Sequence, residues 1–391
     1  MTCRLLVWGI LWGVLVGAGV VLGGEPAPAK AGAGKGLAPL PAALCTRVET
    51  GINRGLQFLA ATQQPNGGWK GMLETDPAIT ALAAKCFIQN TRYGSRHAIV
   101  QKAIDFVLTF RQKDGGIYPD GLGLRNYYTS VCLMMLAAAD DPKLGQTLNE
   151  AQGFLKRLQW DEGEQVGPEN AWYGGAGYGE HKRPDLSNTQ MMLEALKQSG
   201  LPADDPTYRK ALTFIERCQM SSETNDQPFA RETREGGFIY TPANGGESKA
   251  GNIVIRGQRQ LRCYGSMTYA GFKSMLHANL DRDDPRIGLA LEWISRHYTL
   301  DHNPNMPDRQ SRQGLFYYYH IFARALRAWG QPHLVDHHGV QHDWRAELCK
   351  KLVSLQNSDG SWTNQEDRWH EGNPVYVTAL ATLALQTVLA K

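Results

Sequence analysis

A segment recurs six times along this chain. Its clearest copy reads Arg54-Gly55-Leu56-Gln57-Phe58-Leu59, then Gln63, then Gly67-Gly68-Trp69. The skeleton returns near the C-terminus as Leu355-Gln356-Asn357-Ser358-Asp359-Gly360-Ser361-Trp362, and weaker copies centre on Phe106, Phe154, Phe214 and Trp293. A repeat of this size constrains the fold before any single motif does. One unit cannot bury its apolar face alone and must pack against its neighbours.

Each unit has two parts. The first is an amphipathic helix, as in Ile52, Leu56, Leu59 and Ala60, which predicts one solvent-facing side. A glycine turn follows: Gly67-Gly68-Trp69, Gly115-Gly116-Ile117-Tyr118, Gly174-Gly175, Gly236-Gly237-Phe238, Gly314-Leu315-Phe316 and Gly360-Ser361-Trp362. Glycine there can take the left-handed conformation that ends a helix. The second helix is apolar on nearly all sides, as in Thr80–Ala84, Thr129–Ala139, Thr189–Leu196, Thr268–Leu276, Tyr319–Leu326 and Thr378–Leu385, so it should be buried. Six such pairs predict an all-α fold in which an inner ring of helices sits inside an outer one. An open solenoid is the competing architecture.

The rest of the chain sets limits. The net charge of +3 argues against nucleic acid or an anionic membrane surface as partner. Arg4 followed by the apolar run Leu5–Leu22 reads as a secretory leader over residues 1–24, so an exported location is expected. Left uncleaved, it would anchor the chain in a membrane. Residues 25–44 read as a flexible linker and 45–391 as one toroidal domain. Cys45, Cys86, Cys132, Cys218, Cys263 and Cys349 would permit disulfides in an exported protein. Cys86 and Cys132, however, sit in apolar helical runs and read as small hydrophobes.

The pattern Arg54-Gly55-x-x-Phe58-Leu59-x-x-x-Gln63-x-x-x-Gly67-x-Trp69 resembles the QW repeat of squalene–hopene and oxidosqualene cyclases. Its pairing with Thr-x-x-Ala-Leu inner helices resembles the beta subunits of protein prenyltransferases. The resemblance runs from about Ile52 to the C-terminus. It implies an α6–α6 toroid, a double barrel of six helical hairpins, and an apolar, isoprenoid-like ligand in the barrel. It says less about chemistry, because fold does not fix function.

The resemblance implies a search for the cyclases' Asp-x-Asp-Asp proton donor, and Asp281-Arg282-Asp283-Asp284 matches it. Asp284-Pro285 precedes an outer helix, as do Asp205-Pro206 and Asp141-Pro142, so these read as helix caps. Asp76 and Asp185 stand before inner helices and are the candidate proton donors, with capping as their plainer role. Candidate ligand-lining residues are Tyr127, Trp172, Tyr264, Tyr269, Tyr317, Tyr318, His320 and Tyr376. A prenyltransferase-like zinc site lacks its Asp-x-Cys pair, since Gly236-Gly237-Phe238 runs on into Ile239-Tyr240-Thr241-Pro242. No metal or cofactor is expected. His333, His337, His338 and His342 read as a hairpin with its turn at Gly339. The polar stretch Ser221–Arg262 reads as a loop over one mouth of the barrel. A terpenoid-cyclase-like activity is the leading expectation. The alternatives are a non-catalytic binding or scaffold toroid and a polysaccharide-active α/α-toroid enzyme.

Overall fold

The computed structural model describes residues 39–390; the leader and most of the linker read in the sequence lie outside the described residues. Among the described residues, twelve α-helices carry the repeat. The first helices of the six units are α1 (Ala42–Thr62), α3 (Ala98–Leu108), α5 (Gly145–Arg157), α7 (Pro206–Cys218), α9 (Pro285–Arg296) and α11 (Trp344–Ser354). The second helices are α2 (Pro77–Ile88), α4 (Arg125–Ala139), α6 (Leu186–Gln198), α8 (Gly265–His277), α10 (Leu315–Trp329) and α12 (Pro374–Leu389).

The second helices pack in a cycle. Each of α2, α4, α6, α8 and α10 touches the next, and α12 returns to α2. The first helices pack on the outside of this cycle, α3 on α2, α5 on α4, α7 and α9 on α8, and α1 and α11 on α12. Closure rather than a solenoid follows from these contacts. A cycle has no end repeat whose apolar face would need a polar cap.

Three side chains make each junction. The repeat glutamine spans its own turn and the next outer helix. Gln63 donates to Gly67 O and Ile99 O, both at 2.9 Å. Gln159 does the same to Gly174 O and Thr207 O, and Gln219 to Gly236 O and Arg286 O. Gln356 donates to Gly360 O and to Gly51 O of α1, both at 2.9 Å, and so joins the last unit to the first. The inner-helix threonine then accepts from the turn. Trp69 N, Ile117 N, Ala176 N, Phe238 N and Trp362 N donate to Thr80, Thr129, Thr189, Thr268 and Thr378 in turn, at 2.9–3.1 Å. The turn tryptophans Trp69 and Trp362 are fully buried, and their indole N–H groups donate to Leu59 O and Leu352 O.

The turn glycine is demanded twice over. Gly174 has φ +80°, and a Cβ there would lie 1.8 Å from Lys210 O of α7. Gly67 and Gly360 make the same close approach to Lys102 O and Arg54 O of the following outer helix. The fifth unit departs from the pattern: Gly314 packs on Trp369, and Tyr319 stands where the other units have threonine.

Three short antiparallel hairpins decorate the helices. They are β1 (Gln219–Ser221) with β2 (Arg234–Phe238), β3 (Asn252–Ile255) with β4 (Gln258–Leu261), and β5 (Leu334–Val335) with β6 (Gln341–His342). Strands β2, β3 and β4 lie in the polar stretch Ser221–Arg262, which β1 leads into, and the third pair is the histidine hairpin, with Gly339 at φ +80°. Its His342 lies between Asp336 and Glu347, at 3.2 and 3.0 Å. Asp205 and Asp284 cap α7 and α9, accepting from Thr207 N and Arg286 N, and Asp141 caps the short turn ahead of α5. The Asp-x-Asp-Asp match is thus an outer-helix start. The six cysteines among the described residues are all unpaired, and five are buried. No described helix is long and apolar enough to cross a membrane.

The junction geometry sets a test. Gly174→Ala should lower unfolding free energy by more than about 3 kcal/mol, because it adds a backbone clash to an unfavourable φ. Gly94→Ala, with φ +69° and nothing within 4 Å of the added Cβ, should cost only about 1 kcal/mol. Gln356→Ala should cost about 2 kcal/mol through two lost bonds. Urea unfolding of the three variants ranks them. Equal costs for the two glycine variants would remove the junction from the account.

Candidate functional site

The first turns of all six inner helices meet at one end of the ring, around a cavity of about 740 Å³. Asp76 and Ile79 come from the start of α2, Tyr127 from α4, Asn188 from α6, Tyr264 from the residue before α8, Tyr317 from α10 and Tyr376 from α12. The stretch Ser221–Arg262, expected over one mouth of the barrel, supplies Tyr240 and Lys249 to this same cavity. The size suits a ligand of one to a few rings.

Three buried carboxylates stand at these helix starts, each partly engaged by backbone N–H groups. Asp76 Oδ1 accepts from Ala78 N and Ile79 N at 2.9 and 3.0 Å, and its Oδ2 accepts from the Tyr128 hydroxyl at 3.0 Å. Asp185 Oδ1 accepts from Asn188 N, and Oδ2 from Asn188 Nδ2, both at 2.8 Å. Glu371 reaches the start of α10, accepting from Tyr317 N at 2.7 Å, with Asn364 Nδ2 on its other oxygen. Anionic groups at helix N-termini complement the partial positive charge there. Burial nevertheless pushes the Asp185 carboxyl up to about 6 and that of Glu371 up to about 7.

Two phenols lie in the electrostatic reach of Asp185. Its charge acts on Tyr240, and Tyr240 and Tyr178 act on one another in turn. Tyr178 is 41% exposed and Tyr240 7%, and both line the cavity. Burial and the nearby Asp185 carboxylate hold the Tyr240 phenol well above its usual range, so it stays protonated. Lys249 Nζ lies 4.5 Å from the Tyr240 ring centre and the Arg183 guanidinium 5.9 Å from it. Both cations pair with Glu247.

Of the residues expected to line the ligand, Tyr127, Tyr264, Tyr317 and Tyr376 lie on this cavity. The other four lie elsewhere. Tyr318 follows Tyr317 on α10 and is turned by about 100°, so its hydroxyl meets Thr299 O at 2.8 Å instead. Tyr269 packs on Tyr318 and Phe322, with ring centres 5.6 and 5.0 Å away. Trp172 packs edge-on against Trp160 on the way out of the third unit, 4.9 Å between centres. His320 sits one turn below Tyr317, deeper in the ring, where burial and the Arg324 charge hold it neutral. Asp76 lines the cavity, and the buried Asp185 caps α6, the helix that supplies Asn188 to it. Sequence reasoning missed Tyr240, Arg183, Lys249 and Glu371 as site residues. They come from connections, where no periodicity marks an inward direction. Among the described residues no group of three or more His, Cys, Asp and Glu side chains could hold a metal ion.

The expected greasy inner wall also needs correction. Below the cavity the ring is filled by Lys85, Glu194, Lys273 and Arg324, of which Lys273 is fully buried and Glu194 nearly so. None of the four stood out in the sequence, each being a single charge in a largely apolar run. Facing one another across the ring, they are buried as a paired cluster.

No protein-family model matches the chain, and no curated protein sequence does. Solved structures do. The type II terpene cyclase MstE from Scytonema, in complex with geranylgeranyl dihydroxybenzoate, aligns with a TM-score of 0.55 at 12% identity. The alignment covers 90% of this chain and 99% of that one. A D-mannose isomerase aligns at 0.57 and 11% identity, with 90% and 99% covered. A family 76 glycoside hydrolase from a bovine Bacteroides thetaiotaomicron strain aligns at 0.54 and 10% identity, with 88% and 78% covered.

The raised Asp185 carboxyl gives a pH signature. The folded chain keeps this proton up to about pH 6, whereas the unfolded chain loses it near 3.8. Its stabilising contribution is full below pH 3.8 and is lost as pH rises through 6. Asp185→Asn keeps a capping side chain and cannot titrate. Between about pH 4 and 7 the variant should therefore gain on the parent by an amount on the order of 2 kcal/mol. Urea unfolding of both proteins at the two pH values reads the difference; parallel pH dependences would contradict the assignment. What this chain and its structural neighbours have in common is the α/α-toroid fold.

Proposed function

We propose that this chain is a carbohydrate-active α/α-toroid enzyme, working by proton transfer in the tyrosine-lined cavity. We also read its two layers of helices as the six-hairpin double barrel, and the Leu5–Leu22 leader as directing it out of the cytoplasm. The observation that carries the reading is the cluster of Tyr178 and Tyr240 with the buried Asp185 close by, at a mouth flanked by Arg183 and Lys249. Tyrosine rings stack on the flat faces of sugars while their hydroxyls bond ring substituents. Tyr240 is the proton donor, and the nearby Asp185 restores the proton. Asp76, two helices away around the ring, faces the ligand from another side. A sugar-active mannose isomerase and a glycoside hydrolase among the structural neighbours are compatible with this reading.

A second reading keeps the isoprenoid. Met72, Ile79, Leu124, Met191 and Met267 give the cavity an apolar portion, and MstE is a terpene cyclase of the same fold. The charged cluster below the cavity argues against it. A polyprene drawn down the barrel axis would lie against Lys273 and Glu194, where apolar chain and buried charge exclude one another.

Panels of neutral and uronate oligosaccharides and of geranylgeranyl compounds separate the two by calorimetry and turnover. The carbohydrate reading expects saturable binding of a saccharide. Tyr240→Phe should leave binding within about threefold. Turnover should fall by about 100-fold or more through the lost proton donor. Binding of the geranylgeranyl compounds alone would replace it with the isoprenoid reading.

A further inference from the structure

The opposite end of the inner ring holds a second cavity, of about 820 Å³. Ends rather than starts of inner helices shape it. Its polar lining includes Asn90, Arg92, His277, Arg324, Arg327 and Gln386, and Glu49 of α1 is its one acidic residue.

Arg324 connects this cavity to the charged cluster. Its guanidinium pairs with Glu194, which also receives Lys273 and, at 3.0 Å, the Gln198 amide. Lys273 donates in addition to Gln190 Oε1 at 2.7 Å, and Lys85 donates to Gln198 Oε1. Three cations thus face one carboxylate, and Lys85 has only a neutral amide as its hydrogen-bond partner here. Burial, with the Arg324 charge adding to it, lowers Lys85 to about 7; burial likewise lowers Lys273 to about 8. The two histidines facing the cluster, His277 and His320, are held neutral by the same burial.

The negative ends of the inner helices favour cations at this end. They do not require three on one carboxylate in a dry interior. Polar atoms around the cavity also lack partners, among them Arg324 Nε and His277 Nδ1. Guanidinium groups bind oxyanions in bidentate fashion and keep their charge when desolvated.

We propose that this cavity binds an oxyanion group (phosphate, sulfate or carboxylate) carried by a small molecule, with Arg324, Arg92 and Arg327 as ligands and Lys85 and Lys273 behind them. The site is independent of the tyrosine-lined cavity and of any carbohydrate chemistry there. An anion here would raise both lysines, so binding should take up protons near neutral pH.

Inorganic phosphate, sulfate and citrate are the probes, titrated into the full chain by calorimetry at about pH 7. Ionic strength is held constant with sodium chloride, and two buffers of different ionisation enthalpy are used. The proposal expects saturable binding of at least one anion with net proton uptake, and the tightest probe identifies the group. The double variant R92Q/R327Q should weaken that binding at least about tenfold. Its unliganded melting temperature, tracked alongside, separates loss of the site from loss of the fold, and R92Q alone, which leaves α10 untouched, should weaken binding in the same direction. Tyr240→Phe, at the other mouth, should leave anion affinity unchanged. No saturable binding by any of the three, or unchanged affinity in the double variant, overturns the proposal.

Discussion

The structure depends on one glutamine amide used again and again. At four junctions its N–H groups bridge the carbonyl of its own turn glycine and a carbonyl of the next outer helix. Those carbonyls are buried or half-buried and would otherwise lack water. A buried acceptor left unmade costs about as much as several surface contacts contribute. The glycine beside it must be glycine, because the next helix backbone occupies the space of a Cβ. The threonine on the inner helix then fixes the turn to the inner ring. The clasp therefore sets two distances at once, outer helix to outer helix and turn to inner helix. Repeating it around a cycle makes the last unit the partner of the first, through Gln356 and Gly51.

This is why so much of the architecture was legible. Glycine, glutamine, threonine and tryptophan recur at fixed offsets because each answers a local requirement that recurs. Gln63, Gly67, Trp69 and Thr80 can be read off the chain without knowing what they touch. The interior of the ring was not legible in the same way. Tyr317 faces the cavity while Tyr318 and Tyr319 bond Thr299 O and Leu300 O, a difference of rotation about one helix axis. His320 shares the Tyr317 side but lies a turn deeper, among charges. Lys85, Glu194, Lys273 and Arg324 come from four helices far apart in sequence, and nothing in any one helix announces the others. Tyr240 and Lys249 come from a stretch without repeat. Closure brings such residues together, and which residues it sets face to face is what a linear reading cannot see.

Parallel inner helices also sort charge along the ring axis. Asp76, Asp185 and Glu371 engage the starts of α2, α6 and α10. Lys85, Lys197, His277 and Arg327 stand in the last turns of α2, α6, α8 and α10. Each arrangement complements a helix dipole. Carried by a closed ring of parallel helices, these local preferences put capping carboxylates at one mouth and last-turn cations at the other. An isolated helical hairpin would expose both to water.

Burial then decides what each mouth can do. At the mouth formed by the helix starts, desolvation leaves Asp185 and Glu371 with carboxyl groups that titrate near neutrality rather than near 4. Such groups can hold and release a proton under ordinary conditions, which a surface carboxylate cannot. At the other mouth, desolvation works the other way and loosens the protons of Lys85 and Lys273. A ligand with hydroxyls meets donors, acceptors and aromatic faces at the first mouth. A ligand with negative charge meets guanidinium groups at the second. A wholly apolar ligand occupying the axis between them would have to separate Glu194 from its three donors. Removing one partner from a buried pair costs about 3–5 kcal/mol. Dispersion against a few methionine side chains does not offset a loss of that size.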